Sequence, residues 1–279
     1  MQGKTVVITG ATSGIGEVAA LRLAELGARI VHVARDPARA AATQNLLNTA
    51  NPGAIHVAHI ADLSLLSEMK RVAGEIAAAE PRIDILIDNA GAMFNRRIVT
   101  KDGLEKTFAL NHMAYFILTN LLLTNIVDGG RIVVTASNAH RGAVLDFNDL
   151  QSEQGYRGFG AYSRTKLMNI LFTRALARRL SRGITANALH PGFVATRFGD
   201  QSGGLMQPFI KIAKPVGAIS PEEGAKTITW LAAAPEAAGI TGGYFFECKP
   251  QAPTVHALND ADGERLWRMS EEISGTDIK

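Results

Sequence analysis

The sequence KTVVITGATSGIG at residues 4–16 places a short β-branched run directly before a glycine-rich turn, and helix-compatible residues follow as far as Gly27. A strand, a glycine-rich turn and a helix in this order are typical of the first unit of a dinucleotide-binding sheet. The glycines allow a close approach of the backbone, while the helix N-terminus presents free N–H groups to a pyrophosphate. The spacing here is G-x-x-x-G-x-G rather than G-x-G-x-x-G. The residues predicted to cradle a phosphate are Gly10, Ser13, Gly14, Ile15 and Gly16.

The rest of the chain alternates strands with helices. Short apolar or β-branched runs predict further strands at residues 29–34, 55–60, 83–87, 131–135, 185–189 and 244–246. Helices are predicted between them, notably at residues 103–123, 161–182 and 221–234. With 279 residues and 47% hydrophobic content, the chain can bury one large core. We therefore predict an α/β fold in which a doubly wound, mainly parallel seven-stranded sheet carries helices on both faces, as a single domain over residues 1–279.

The composition argues against several classes of protein. The formal net charge of +3 is spread along the chain, and the arginines at 174, 178, 179 and 182 are expected to form a solvated helix face, so nucleic-acid binding is not indicated. The single cysteine, Cys248, cannot form an intramolecular disulfide or a cysteine metal cluster, and it fits a reducing compartment. The histidines lack the spacing of metal ligands, so no metal is expected. Because no leader and no apolar run of membrane-spanning length is visible, we expect a cytoplasmic protein without a transmembrane anchor.

Tyr162 and Lys166 lie four residues apart in a predicted helix and therefore share one of its faces. A free phenol is a weak base at neutral pH because its pKa is about 10, and each unit of lowering requires about 1.4 kcal/mol. An ammonium group held about 4 Å away could supply up to about 4 kcal/mol near a protein surface. The lysine could thus make the tyrosine a proton-transfer group, although two such residues can also simply pack on a helix surface.

Small or polar residues follow four consecutive predicted strands. Any one of these positions could be an ordinary turn. Ligands of doubly wound sheets bind beyond the carboxyl ends of the strands, which is where these residues are expected to gather. They are Asp62, Asn89-Ala90-Gly91, Ser137 and Pro191-Gly192.

Taken together, these segments resemble the short-chain dehydrogenase/reductase family from residue 3 to about residue 248. The matching segments are TGATSGIG at 9–16, AD at 61–62, NAG at 89–91, the asparagine of LNHMAYF at 111, TAS at 135–137, YSRTK at 162–166 and HPGFVAT at 190–196. The stretch AYSRTKLMNILFTRALARRL and the lengthened segment between Ser137 and Tyr162 resemble the branch that contains retinol dehydrogenases. The resemblance implies a Rossmann fold, a nicotinamide cofactor and an oxidoreductase.

The resemblance also assigns catalytic roles. Tyr162 would exchange a proton with the substrate oxygen while a hydride moves between the nicotinamide and the carbonyl carbon. Lys166 would lower the tyrosine pKa and bind the nicotinamide ribose, and Asn111 would tie Lys166 into a water-linked proton path.

Ser137 would hydrogen-bond the substrate oxygen and hold it beside Tyr162. The hydroxyls of Thr135 and Ser163 compete for this role, but Ser163 neighbours Tyr162 on the helix and should point elsewhere. The predicted catalytic residues are thus Asn111, Ser137, Tyr162 and Lys166.

The choice of cofactor depends on the end of the second predicted strand, VARD at residues 33–36. An acidic residue about twenty positions beyond the glycine loop generally binds the ribose hydroxyls of NAD, and Asp36 lies there. Its position before Pro37 explains it better as a helix cap, whereas Arg35 is free to meet the 2′-phosphate of NADP. In the resembling branch an arginine here goes with NADP. NADP(H) is therefore favoured over NAD(H), with Arg39 as a second contact.

Further cofactor contacts are implied by the resemblance. Asp62 would cap the adenine ring, and Val194 and Thr196 would meet the nicotinamide carboxamide. Asp88 departs from the family, which often has asparagine at this place. The implied contacts are Asp62, Leu63, Asn89, Ala90, Gly91, Tyr162, Lys166, Pro191, Gly192, Val194 and Thr196.

Two later segments could shape a substrate site. Residues 198–220 are apolar and contain a Gly-Gly pair, so they are either an ordinary packed helix or a lid that favours a lipophilic substrate. Residues 250–279 form a C-terminal extension, with Leu258, Leu266 and Trp267 as expected anchors.

The leading hypothesis is an NADP-dependent carbonyl reductase or alcohol dehydrogenase that acts on a small lipophilic aldehyde, ketone or alcohol. The alternatives are a noncatalytic NADP-binding sensor or scaffold, and a double-bond reductase or epimerase on the same framework. Substrate identity, physiological direction and homo-oligomerisation stay open at this point.

Overall fold

The computed structural model describes residues 1–194 and 219–275. Its strands are β1 Thr5–Thr9, β2 Arg29–Ala34, β3 Val57–Ile60, β4 Ile83–Asp88, β5 Ile126–Thr135, β6 Thr185–Leu189, β7 Tyr244–Phe246 and β8 Lys249–Pro250. They form one sheet in the order β3-β2-β1-β4-β5-β6-β7-β8. Strands β1 to β7 pair in parallel, and β8 pairs antiparallel with β7. The chain reverses its direction of travel across the sheet between β1 and β4, which is where ligands of doubly wound sheets bind.

Every predicted strand is present, but the prediction of seven strands missed β8. This strand has only two residues and ends in Pro250 at the edge of the sheet. Proline cannot donate to a strand ladder, so it is read as a turn residue in a sequence and is tolerated only at such an edge.

Strand β5 begins five residues before its predicted start because a pair of glycines interrupts its apolar pattern. A Cβ atom at Gly130 would lie 2.5 Å from the Cγ2 of Ile126, so glycine is needed where the strand bends. The pairing register between β4 and β5 shifts at the same place.

The helices are α1 Gly14–Glu25, α2 Pro37–Ala50, α3 Leu66–Ala79, α4 Lys106–Phe108, α5 Ala114–Leu122, α6 Gly158–Arg179, α7 Pro221–Ala233 and α8 Asp260–Ser274. The predicted helix at 103–123 starts at Lys106, because the Glu105 carboxylate caps it by accepting from the N–H groups of Thr107 and Phe108 at 2.8 and 2.7 Å. A π-helical turn, Ala109–Met113, joins α4 to α5. Such turns are rare in proteins, and many of those that occur lie at functional sites.

The core has two halves, one on each face of the sheet. One half contains side chains of α3, α5, α6 and α8, including Met69, Phe116 and Leu171. The other half contains side chains of α1, α2 and α7, including Leu23 and Ile228. The two halves confirm the predicted doubly wound architecture with helices on both faces.

The C-terminal helix α8 covers part of α6. Trp267 stacks on Phe172 with ring centroids 5.9 Å apart, and the Arg179 guanidinium lies 4.2 Å from the Trp267 ring centroid. Arg178 forms ion pairs with Asp260 and Glu264, each at 2.8 Å. Arg178 and Arg179 are exposed, as the predicted solvated face requires, and α8 adds carboxylate partners to them. No helix within residues 1–194 or 219–275 has both the length and the apolar character required to cross a bilayer.

Candidate active site

The glycine loop between β1 and α1 is shaped by contacts that exclude larger side chains. Gly10 and Gly14 have φ values of +71° and +59°, which favour glycine. A Cβ at Gly16 would lie 2.2 Å from the Gly10 carbonyl oxygen, and one at Gly10 would lie 2.8 Å from the Ala90 Cα. Ser13 precedes α1 in extended conformation, and its side chain makes no capping hydrogen bond. The first amides of α1 therefore have no side-chain cap, which suits an anionic ligand.

Asn89 and Thr9 bind this loop to the end of β4. The Asn89 side-chain amide donates to the carbonyl oxygens of Thr9 and Gly10 at 3.1 and 3.3 Å. The Thr9 hydroxyl oxygen accepts from the backbone N–H groups of Asn89 and Ala90 at 2.9 and 3.0 Å. Thr9 was missed in the sequence, where a threonine inside a strand looks like an ordinary β-former. Its role depends on β1 and β4 being neighbours, which they are not in the sequence.

Asn111 lies in the π-helical turn and is fully buried. Its side chain accepts from the Ala92 N–H and donates to the Ala92 carbonyl, both at 2.9 Å, and it also donates to the Thr165 hydroxyl at 3.1 Å. A Cβ at Gly91 would lie 3.2 Å from the Asn111 Oδ1 and 3.5 Å from the Lys166 Nζ. Asn111 thus anchors the loop after β4 beside the lysine. Thr165 was not predicted as its partner.

Tyr162 and Lys166 lie on α6 as predicted, and both are buried. The Lys166 Nζ lies 5.6 Å from the centroid of the Tyr162 ring and donates to the Thr135 carbonyl oxygen at 2.9 Å. Asn169 donates to the same carbonyl at 3.3 Å. The lysine is thereby held between the end of β5 and the tyrosine.

Burial dominates the titration of this pair. Burial raises the pKa of the Tyr162 phenol to about 12, although a hydrogen bond with Ser137 acts to lower this pKa. Burial lowers the pKa of Lys166 to about 7. The prediction that the ammonium would bring the tyrosine pKa below its ordinary value was wrong for this arrangement, because both groups leave water and burial disfavours the charged form of each.

Ser137 is the hydroxyl that reaches Tyr162. It follows β5, and its Oγ accepts from the Ala139 N–H at 3.2 Å while its side chain hydrogen-bonds the phenol. Its two rivals are placed differently. The Thr135 hydroxyl donates to the Asn89 Oδ1 at 3.3 Å, and the Ser163 hydroxyl is buried with no hydrogen-bond partner among the described residues. Of the three hydroxyls, only that of Ser137 is hydrogen-bonded to the phenol among the described residues.

After β2, Asp36 is the N-cap of α2. Its carboxylate accepts from the N–H groups of Ala38 and Arg39 at 2.9 and 3.0 Å, as its position before proline predicted. These bonds hold the pKa of Asp36 below its usual value, with the Arg39 N–H as the largest cause. Arg35 precedes it and is exposed.

Asp62 and Leu63 follow β3. The Asp62 carboxylate accepts from the N–H and the hydroxyl of Ser64 at 3.0 and 2.8 Å, and Leu63 is buried. Beyond β6, Gly192 has a φ of +88° and Val194 forms an isolated bridge with Ile219.

Thr196 and most of the predicted lid, residues 198–218, lie outside the described residues.

The profile of the short chain dehydrogenase family matches residues 4–203, which is most of the chain. The protein is a short-chain dehydrogenase. It is 39% identical to human retinol dehydrogenase 14 over 293 residues, which cover 99% of this chain and 87% of the relative. It is 37% identical to a candidate daunorubicin C-13 ketoreductase, DnrU, of Streptomyces sp. (strain C5), with 99% and 94% of the two chains covered. A short chain dehydrogenase from Burkholderia cenocepacia J2315, solved in complex with NADP, is 26% identical with a TM-score of 0.70, and covers 88% of this chain and 96% of its own.

This membership confirms the predicted oxidoreductase family, the Rossmann fold and the likeness to retinol dehydrogenases. Short-chain dehydrogenases use a nicotinamide cofactor, and the residues of this chain fit one. The glycine loop is a cradle that a Cβ would fill at Gly16, and the N-terminus of α1 opens toward it. The C-terminal extension lies beyond the family match.

Asp88 is the residue that the sequence resemblance predicts to depart from the family pattern. It is fully buried at the end of β4 and accepts a hydrogen bond from the Thr119 hydroxyl at 2.7 Å. Its other carboxylate oxygen has no partner among the described residues. Burial raises the pKa of the Asp88 carboxyl to about 8. A protonated carboxyl resembles a carboxamide in charge and shape.

Proposed function

We propose that this protein interconverts a lipophilic aldehyde or ketone and its alcohol with NADP(H), with Tyr162 as the acid and base. The observation that carries the proposal is the gathering of four residues at the carboxyl edge of the sheet, next to the glycine cradle. They are Asn111, Ser137, Tyr162 and Lys166.

Each of these residues has a task that follows from its contacts. A phenol with a pKa of about 12 keeps its proton at neutral pH, so Tyr162 can donate it to a carbonyl oxygen that becomes an alcohol. The Ser137 hydroxyl, which reaches the phenol, would hold that oxygen in place. Lys166 would support the negative charge that develops on the phenol and would bind the ribose. The bound nicotinamide would supply or accept the hydride.

NADP(H) is proposed because of the residues after β2. The Asp36 carboxylate is occupied as a helix cap, while Arg35 is exposed next to it with no ion pair to a described residue. A guanidinium in this position suits a phosphate better than a hydroxyl. A structural neighbour solved with NADP agrees with this choice.

A lipophilic substrate is proposed from two kinds of support. One of these relatives is named for retinol, which is a largely apolar alcohol, and the other for a ketone of daunorubicin. In this chain, two phenylalanines are exposed close to the proposed site residues. Phe159 lies at the start of α6, three residues before Tyr162, and exposes 56% of its surface; Phe193 follows the Pro191-Gly192 turn and exposes 57%. The cytoplasmic location stays a prediction, and whether residues 198–220 form a lid and whether the protein is a homo-oligomer stay open.

The test is a panel of aldehydes and ketones with NADPH, run on the parent protein, Tyr162→Phe and Tyr156→Phe. Tyr156 is a matched control because its hydroxyl bonds groups outside the proposed catalytic set. It bridges Thr107 and the Phe94 carbonyl, at 2.9 and 2.8 Å, and also hydrogen-bonds the Glu105 side chain. We expect Tyr162→Phe to lower kcat by about 10²- to 10⁴-fold with NADPH affinity retained, and Tyr156→Phe to stay close to the parent. Tight NADPH binding without turnover of any substrate would instead favour a sensor or scaffold. A saturated or epimerised product would identify a double-bond reductase or an epimerase.

A further inference from the structure

His140 lies in the short 3₁₀ turn Asn138–Gly142, directly after Ser137, and is fully buried. Its Nδ1 lies 2.7 Å from the Ser137 carbonyl oxygen, and its Nε2 lies 3.3 Å from the backbone nitrogen of Thr254. A carbonyl can only accept a hydrogen bond and a backbone N–H can only donate one. The proton of the neutral ring must therefore be on Nδ1, and Nε2 must be the acceptor. Both ring nitrogens are used, and the tautomer is defined by its partners.

Thr254 belongs to the C-terminal extension, which lies outside the family match. The extension contacts the same turn at a second point, where the Arg141 guanidinium donates to the Ala252 carbonyl at 2.9 Å. Arg141 also donates to the Asn138 side chain at 2.8 Å. The turn after Ser137 is thus attached to the extension through two side chains.

The surroundings of His140 keep its ring in place. Tyr244 of β7 meets it edge to face with centroids 5.1 Å apart, and the Tyr244 hydroxyl lies 3.4 Å from Nδ1. His190 stacks on Tyr244 with ring centroids 5.3 Å apart. Burial, with a smaller contribution from the Arg141 charge, lowers the pKa of His140, while its bond to Ser137 acts in the opposite direction. The ring is therefore neutral, as both of its hydrogen bonds require.

We propose that His140 is a positioning residue that holds Ser137 in its catalytic orientation, and that the backbone of Thr254 in the C-terminal extension sets the His140 ring. This inference rests on the proposed function, because it assumes that Ser137 orients the substrate oxygen. The Ser137 carbonyl is fixed by the ring, and the direction of the serine side chain follows from its backbone. A shift of about 1 Å in such a group can lower a rate by about 10²-fold.

His140→Leu and His140→Asn separate positioning from packing. Leucine removes both hydrogen bonds, whereas the asparagine amide nitrogen can take the place of Nδ1 and donate to the Ser137 carbonyl. We expect His140→Leu to lower kcat by roughly 10- to 100-fold, with the NADPH dissociation constant within about twofold of the parent. His140→Asn should recover most of that kcat. His256→Leu, at an exposed histidine two residues after Thr254, is the control and should leave kcat unchanged.

Thr254→Pro tests the extension directly. Proline removes the N–H that binds Nε2, and the Thr254 φ of −70° already suits it. Thr254→Ala keeps the N–H and loses only a hydroxyl that has no hydrogen-bond partner among the described residues. We expect a several-fold lower kcat for the proline variant and a parental kcat for the alanine variant.

Ser137→Ala separates this inference from the proposed function. If Ser137→Ala is inactive while a folded His140→Leu keeps the parental kcat, the positioning role is wrong and the proposed function stands. If His140→Leu does not fold, equal kcat values for the two Thr254 variants would overturn the inference. A fully active Ser137→Ala would overturn the catalytic assignment and the inference together.

Discussion

Asp88→Asn should make the stability of this protein less dependent on pH. The Asp88 carboxyl is fully buried, with one hydrogen bond from Thr119 and one oxygen without a partner among the described residues. Burial raises its pKa from 3.8 to about 8. In the unfolded chain the same carboxyl is in water and keeps its ordinary pKa. Between the two values the folded protein holds a proton that the unfolded chain has lost.

The sign and size follow from proton linkage. Because the folded state binds more protons in this window, the free energy of unfolding falls as the pH rises, by up to about 1.4 kcal/mol per pH unit. The contribution is complete below the unfolded pKa and is lost by the time the pH passes the folded pKa. Asparagine has no proton to lose. From about pH 5.5 to about pH 7.5, Asp88→Asn should therefore gain about 3 kcal/mol of stability relative to the parent.

Urea unfolding followed by circular dichroism, at several pH values across this range, measures the effect. All other titrating groups are shared by the two proteins, so the difference in slope reports on position 88. Thr119→Val is the control, since it removes the hydrogen bond that lowers the Asp88 pKa and leaves the carboxyl in place. That variant should keep the parental slope. Parallel plots of unfolding free energy against pH for the parent and Asp88→Asn would refute the reasoning, because they would mean that Asp88 titrates alike in both states.

Three other substitutions test the cofactor end of the site. Arg35→Asp should raise the Michaelis constant for NADPH by about 10- to 100-fold and leave the Michaelis constant for NADH nearly unchanged. If steady-state kinetics show an unchanged Michaelis constant for NADPH, Arg35 does not bind the phosphate. Asp36→Ala should lower the melting temperature through loss of the helix cap, without changing the preference between the two cofactors. A change in that preference would instead indicate that Asp36 binds the ribose. Gly16→Ala places a Cβ 2.2 Å from the Gly10 carbonyl oxygen and should weaken NADPH binding in a fluorescence titration. Gly74→Ala in α3 is the control, because its new Cβ would meet nothing within 4 Å, and it should stabilise the protein by about 0.5 kcal/mol. If Gly16→Ala and Gly74→Ala had the same effect on NADPH binding, the glycine loop would not be the phosphate site.

The strands were predictable because each is a local apolar or β-branched run. β2, β6 and β7 have the predicted bounds. The misses have local causes too. Gly130 interrupted the pattern of β5, and β8 was too short to leave a pattern. The π-helical turn at Ala109–Met113 left no local pattern in the sequence, and the contact of its Asn111 with the Ala92 backbone exists only in the folded chain.

The site was partly predictable because its motifs are short. The glycine loop, the Asp36 cap and the Tyr162 and Lys166 spacing are each contained in a few residues. The titration of the pair was not predictable, since it depends on how much water the folded chain removes from around them. The partners of Asn111 and the surroundings of Asp88 were not predictable either, because they come from residues elsewhere in the chain.

By itself, the sequence determined the order of strands and helices, the phosphate cradle and the presence of a phenol beside an amine, because local residue patterns encode backbone conformation and short-range contacts. Only the tertiary structure decided that Thr9 joins the loop to β4, that Ser137 rather than Thr135 reaches the phenol, and that His140 links that serine to Thr254. Apart from the bond between His140 and Ser137, these contacts join residues that lie far apart in the chain, and their partners are selected by packing and burial.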